Sequence, residues 1–160
     1  RITHTWAGGI VRGAPDGSRI AYLGKDGNGK QQVFVVSAQG SDRSDDPALR
    51  PVQASRVAEG VTGDIRWHPS GKAILFTARG GIAAVSLEGE LPAEAVWLTP
   101  YGDGEPRHAP VISPDGKWVA YNRIVPTTDA AGNRVQTWAG KDCKQIFSVP
   151  WPGQSAGLPE

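Results

Sequence analysis

One phrase recurs three times in this chain, and it restricts the fold more than any other feature. The copies are Gly13-Ala14-Pro15-Asp16-Gly17-Ser18-Arg19-Ile20-Ala21-Tyr22, Arg66-Trp67-His68-Pro69-Ser70-Gly71-Lys72-Ala73-Ile74-Leu75-Phe76 and Val111-Ile112-Ser113-Pro114-Asp115-Gly116-Lys117-Trp118-Val119-Ala120-Tyr121. Each joins two short apolar runs through a Pro-Asp-Gly or Pro-Ser-Gly turn, the pattern of a tight β-hairpin. Pro15, Pro69 and Pro114 stand 54 and 45 residues apart, close to the repeat length of a propeller blade.

The segments between the turns complete the blades. In the first, Ile10–Ala14 reads as an inner strand, Ile20–Leu23 as the second, Gln32–Val36 as the third, and a short outer strand lies near Gln53–Val57. The second blade is the most compact, with strands at Asp64–Trp67, Ala73–Thr77, Ile82–Val85 and Val96–Thr99. The third has strands near His108–Ile112, Lys117–Tyr121 and Gln145–Val149, with a long polar insertion from Pro126 to Lys141. The expected fold is therefore all-β: a propeller segment of about three four-stranded blades at 8–58, 62–99 and 107–149. Arg1–Thr5 reads as an orphan outer strand of a further blade. Residues 151–160, rich in proline and without a strand pattern, read as a flexible tail.

Composition narrows the partners. Seventeen basic residues against sixteen acidic ones leave a net charge of +1, so no field draws nucleic acid or an anionic membrane. No apolar window of about 18 residues exists, so no membrane span is expected. Cys143 is the sole cysteine and allows no internal disulfide, which suits cytoplasm or periplasm equally. The chain contains no Met and starts directly in a strand-like pattern, so it reads as a processed or excised piece of something longer.

The repeated phrase resembles the Pro-Asp-Gly repeat of TolB-like, WD40-like propellers. The third strands Val33-Phe34-Val35-Val36 and Ile146-Phe147-Ser148-Val149, and the hydrophobic-Thr endings Arg1-Ile2-Thr3-His4 and Val96-Trp97-Leu98-Thr99, fit as well. The order of these pieces looks closest to the C-terminal part of a bacterial Tol-type biopolymer-transport propeller family. Ser70 departs from the usual Asp, a change confined to the turn, because serine also caps turns through its side chain. The resemblance implies a six-bladed, non-catalytic platform that binds a protein or peptide, needs no cofactor, and sits in the periplasm as TolB does. Similar propellers also precede the hydrolase domain of prolyl-oligopeptidase-like enzymes, where they gate access. Fold alone does not choose between the two.

Catalytic and metal motifs fail on inspection. Gly153-Gln154-Ser155-Ala156-Gly157 matches a nucleophile elbow, but that motif needs a strand before and a helix after, and Pro150 and Pro152 precede this one. Asp26-Gly27-Asn28-Gly29 resembles half a calcium loop, yet the twelfth position is Ser37 rather than a bidentate Glu. His4, His68 and His108 lie outside chelating spacing of one another, so no metal site is expected; His68, before its turn proline, is read as packing or capping. Trp67, Trp97 and Trp118 fall in strand patterns and are expected between blades, while Trp151 falls in the tail.

In a propeller, the loops between second and third strands share a face with the loops between blades. That face gathers Trp6, Thr62, Asp64, Tyr101, Asp103, Glu105, Arg107, His108 and the insertion bearing Trp138. Of these, Trp6, Asp64, Tyr101, Asp103, Arg107, His108 and Trp138 are the candidate partner-binding residues, since aromatic and Arg anchors supply most binding energy. Ser41–Pro51 should emerge on the opposite face. Three blades leave open edges at both ends. Either the chain is part of a longer propeller, or two copies close a six-bladed ring.

Overall fold

Each Pro-x-Gly turn folds alike. The glycine N–H donates to the carbonyl three residues back, Gly17 to Ala14, Gly71 to His68 and Gly116 to Ser113, at 2.8–2.9 Å. The three glycines have φ of 72°, 71° and 74°, where a Cβ is strained. The computed structural model describes residues 2–4, 7–104, 106–125, 128–133 and 143–160.

Around these turns the strands assemble blade by blade. Blade one is β1 (Ala7–Gly13), β2 (Arg19–Lys25), β3 (Gln31–Ser37) and β4 (Val52–Gln53), in that spatial order. Next along the chain come β5 (Ser55–Arg56), β6 (Gly63–Trp67), β7 (Ala73–Ala78), β8 (Gly81–Ser86), β9 (Ala93–Glu94) and β10 (Val96–Trp97). Blade two is β6-β7-β8-β10. β5 and β9 pair in parallel and tie the outer rims of blades one and two together. Blade three has three strands, β11 (Arg107–Ile112), β12 (Trp118–Val125) and β13 (Cys143–Pro150). Consecutive strands within a blade are antiparallel, and the inner strand of every blade carries a register irregularity.

The core lies between blades. Side chains alternate along a strand, so β7 sends Ile74, Phe76 and Ala78 toward blade one and Leu75 toward blade three. β8 divides likewise, with Ala83 and Val85 on one side and Ile82 and Ala84 on the other. Both faces of blade two are thereby covered, and every residue of β7 is buried. Burying a side chain such as Phe76 contributes about 1.5–3 kcal/mol.

Polar contacts join the turns of adjacent blades. The Arg19 guanidinium donates to Gly71 O at 2.6 Å and lies over the Trp67 ring. His68, 2% exposed, bonds Gly116 O through Nε2 and Ser70 Oγ through Nδ1. The turn aspartates serve their own loops. The Ser18 backbone N–H, then its hydroxyl, hold the Asp16 carboxyl below the usual range, and the Ser113 hydroxyl does the same for Asp115. Ser70 takes this place in blade two because its hydroxyl engages His68.

Both chain ends differ from the sequence expectation. The segment 151–160 is not a loose tail. Trp151 stacks on His68 at 4.6 Å and donates through Nε1 to Pro159 O at 2.8 Å, and Leu158, 1% exposed, enters the core between blades two and three. Two apolar side chains anchor it, too few to show a periodic pattern. Over the described residues of Arg1–Thr5, Ile2–His4 forms no strand. It docks on the 41–51 loop instead: Asp42 N–H donates to Ile2 O at 3.0 Å, and Asp42 accepts from His4 N and Nδ1 at 2.6 Å each. Trp118, expected between blades, is 52% exposed on the side of blade three turned away from blade two.

The turn geometry gives a paired test. Gly17 and Gly116 have nearly equal φ, but a Cβ on Gly17 meets open space, whereas one on Gly116 falls 2.6 Å from His68 Nε2. Gly17→Ala should cost about 1 kcal/mol, the left-handed penalty alone. Gly116→Ala should cost clearly more, and urea midpoints read the difference; equal losses would show that His68 is not packed against this turn.

Candidate partner-binding face

Hydrogen bonds establish which loops share a face. The inter-blade loop before β6 meets the end of blade one's β2–β3 hairpin through Val61 N–H to Gln31 O, and Gly102 and Arg107 donate to Arg79 O and Gly80 O in the β7–β8 turn. The Pro-x-Gly turns lie at the other end of the strands, beside Ala38, Leu87 and Trp151. The 41–51 insertion, which follows β3, emerges on that turn face.

On the loop face the sequence candidates form two groups. The first is built around Arg107, only 4% exposed. Its guanidinium grips Asp103 in a bidentate pair, Nη1 to Oδ1 at 2.7 Å and Nη2 to Oδ2 at 2.8 Å. A pair this buried braces the 99–107 loop and leaves Arg107 little surface for a partner. Tyr101 lies in the same loop and is 41% exposed. Its ring stacks on Trp97 at 3.8 Å, with the Arg79 guanidinium 5.0 Å from its centroid on an ion pair to Glu59. Gly81 makes room for this stack, since a Cβ there would fall 2.7 Å from Tyr101 Cβ and 2.9 Å from Pro100 O.

The second group lines the inner end of blades two and three. Asp64 and Ala109 stand five residues before their turn prolines, at matching irregularities in β6 and β11, with φ of 53° and 49°. Asp64 Oδ2 accepts the Ala109 N–H at 3.3 Å, linking the two inner strands. His108 is exposed beside them. Trp6, Glu105 and Trp138 lie outside the described residues.

Sequence reasoning missed Trp97, Arg79 and Glu59 as parts of this face. With Arg56, Glu94 and Tyr101 they line a cleft of about 200 Å³. Larger clefts of about 410 and 470 Å³ flank the C-terminal segment on the turn face, where Gln154 and Glu160 line both. Ser155 does not form a nucleophile elbow: it sits in a short 3-10 turn and its hydroxyl donates to Pro152 O at 2.6 Å. Asp26 is engaged by Asn28 N, Lys30 N and Gln32 Nε2 of its own hairpin. Among the described residues, no group of three His, Cys, Asp or Glu side chains could hold a metal, and no helix is long and apolar enough to cross a membrane.

Comparison with solved structures follows from this geometry. The chain is similar to a putative TolB from Agrobacterium tumefaciens, with a TM-score of 0.55 and 17% identity over 83% of this chain and 47% of that one. It is also similar to part of the tricorn protease, with a TM-score of 0.58 and 15% identity over 88% of this chain and 13% of that one. The fold is that of a TolB-like β-propeller. No protein-family model matches the chain. Over 112 residues it is 32% identical to the uncharacterized protein YidR of Escherichia coli (strain K12), a stretch that covers 69% of this chain and only 24% of YidR. This TolB-like chain thus spans about a quarter of its curated relative.

The brace can be measured directly. A double-mutant cycle of Arg107→Met and Asp103→Asn, read by chemical denaturation, should return a coupling of about 1–2 kcal/mol, held down by the partial exposure of Asp103. Additive losses would mean that the pair does not hold the loop.

Proposed function

We propose that this propeller segment is a non-catalytic scaffold that binds a protein or peptide on its loop face. The observation that carries the reading is the Arg79–Tyr101–Trp97 stack. It presents a half-exposed aromatic ring already held in place, so a partner would order little on docking. Tyr101, His108 and Asp64 are the contacts in this reading. The Arg107–Asp103 pair positions the loop, and Trp6 and Trp138 are further anchors proposed from sequence. The likeness to the TolB fold supports a scaffold role.

A peptide-display selection against the folded chain tests this. Enriched peptides should lose about tenfold or more in affinity to a Tyr101→Ala, His108→Ala variant and be indifferent to Ser44→Ala on the turn face. Peptides that ignore Tyr101 and His108 would remove this face from the account. A second reading, favoured by the likeness to part of the tricorn protease, makes the segment a gate attached to a hydrolase. A parent gene that encodes an adjoining hydrolase domain would favour it.

We infer further that a second copy packs against the end blades and closes a six-bladed ring. Val11 of blade one and Val111, Trp118, Ile124 and Ile146 of blade three are large apolar residues left 44–79% exposed. Light scattering over a wide concentration range should give a mass near twice 16.9 kDa. A monomer throughout would overturn the ring.

A further inference from the structure

A cleft of about 220 Å³ opens between blades one and two. Leu87, which lies beside the second Pro-x-Gly turn, places it on the turn face, opposite the Tyr101 surface. Its apolar lining comes from both blades: Val36 and Val52 from blade one, Leu87 and Leu91 from the connection between β8 and β9. Val36 is 2% exposed and Val52 is 46% exposed, so the cleft has a buried apolar floor and an open apolar rim. The spacing of the two blades is fixed close by, where β5 pairs with β9 and Ala93 N–H donates to Ala54 O at 2.9 Å.

The charges that line this cleft are of one sign. Arg19 and Arg50 are among its lining side chains, and no acid is. Acids nearby in sequence are already engaged: Asp16 accepts from Ser18, and Glu88 pairs with Lys72 at 2.8 Å. Arg19 is committed to Gly71 O and the Trp67 ring. Arg50 is different. Its Nε donates to Ser44 O at 2.7 Å, and among the described residues its two terminal nitrogens have no partner. The loop that carries it is ordered by its own bonds. Asp46 accepts the Ala48 N–H at 2.9 Å, Arg50 N–H donates to Pro47 O at 3.1 Å, and a Cβ on Gly40 would collide with Leu49 O. A guanidinium fork open to a carboxylate thus stands beside an apolar cleft, on a support that needs no further ordering.

The size of the cleft decides what enters it. Pockets for whole small molecules run to roughly 300–1,000 Å³. This one is smaller and suits a single apolar side chain. In an extended peptide, successive side chains point to opposite faces, so an acidic neighbour of the anchored residue turns away from Arg50. A carboxylate on the anchored residue itself stays at the rim. We propose that this cleft captures the C-terminal residue of a partner protein, with its apolar side chain between Val52 and Leu91 and its free carboxylate bidentate on Arg50. The site lies on the face opposite the proposed loop-face contacts and does not depend on them.

Fluorescence anisotropy with a fluorescein-labelled Gly-Ser-Gly-Leu peptide, as free acid and as C-terminal amide, tests the site. The free acid should bind saturably, and the amide should bind about tenfold or more weaker. Arg50→Gln should weaken the free acid by a similar factor and leave the amide unchanged. Val52→Asp should weaken both, because it places a charge on the apolar rim. Both side chains are exposed, and circular dichroism confirms that each variant is folded. Tyr101→Ala should leave the free acid bound as in the wild type, which separates this site from the loop face. Equal binding of acid and amide, or a free acid that ignores Arg50→Gln, would overturn the proposal. So would an amidated peptide with an internal Leu and Glu that binds as tightly as the free acid, or no saturable binding up to millimolar peptide.

Discussion

Strands β7 and β8 bury side chains on both faces, and the rest of the structure depends on this. A β-sheet must bury its apolar face against another element. Blade two does so twice, through Phe76, Ile74 and Val85 on one side and Leu75 and Ile82 on the other. Blades one and three do so once each. The chain is therefore stabilised from its middle outward, and the exposed apolar residues collect at its ends.

The polar contacts sort themselves onto this stack. On the turn face, Arg19 and His68 each reach the backbone of the next blade's turn, which fixes the rotation of one blade against its neighbour. Trp151 then covers His68 and brings the C-terminal segment back onto the blades. On the loop face, Arg107 and Asp103 brace the loop that carries Tyr101. One face is thus given to holding the blades together, and the other presents side chains on supports that are already rigid. The residues that hold the blades together and those that line the loop face are drawn from different parts of the chain.

Much of this was legible in the sequence. The three turn phrases and the alternating runs beside them specify hairpins through local chemistry: the proline sets φ, the glycine accepts a positive φ, and period-two alternation sets which residues share a face. Strand order within each blade follows, because short loops join only adjacent antiparallel strands. The hydrophobic-Thr ending of blade two at Leu98-Thr99 was legible as well. Asp64, Tyr101 and His108 could be assigned to the loop face from topology alone.

Other features depend on distances between residues remote in sequence, and only the tertiary structure decided them. Arg107 read as an exposed anchor, but the loop folds Asp103 back over it, and a charge so enclosed is held by its partner. Trp118 read as packed, but packing needs a neighbouring blade, and strand patterning does not say whether one is present. Residues 151–160 read as loose because proline and glycine dominate them, yet Trp151 and Leu158 find a surface made by blades two and three together. Local sequence determines which segments become strands and turns, since those preferences act over a few residues. Burial is a property of the assembled blades, so the fate of each end face was settled only by what stands beside it.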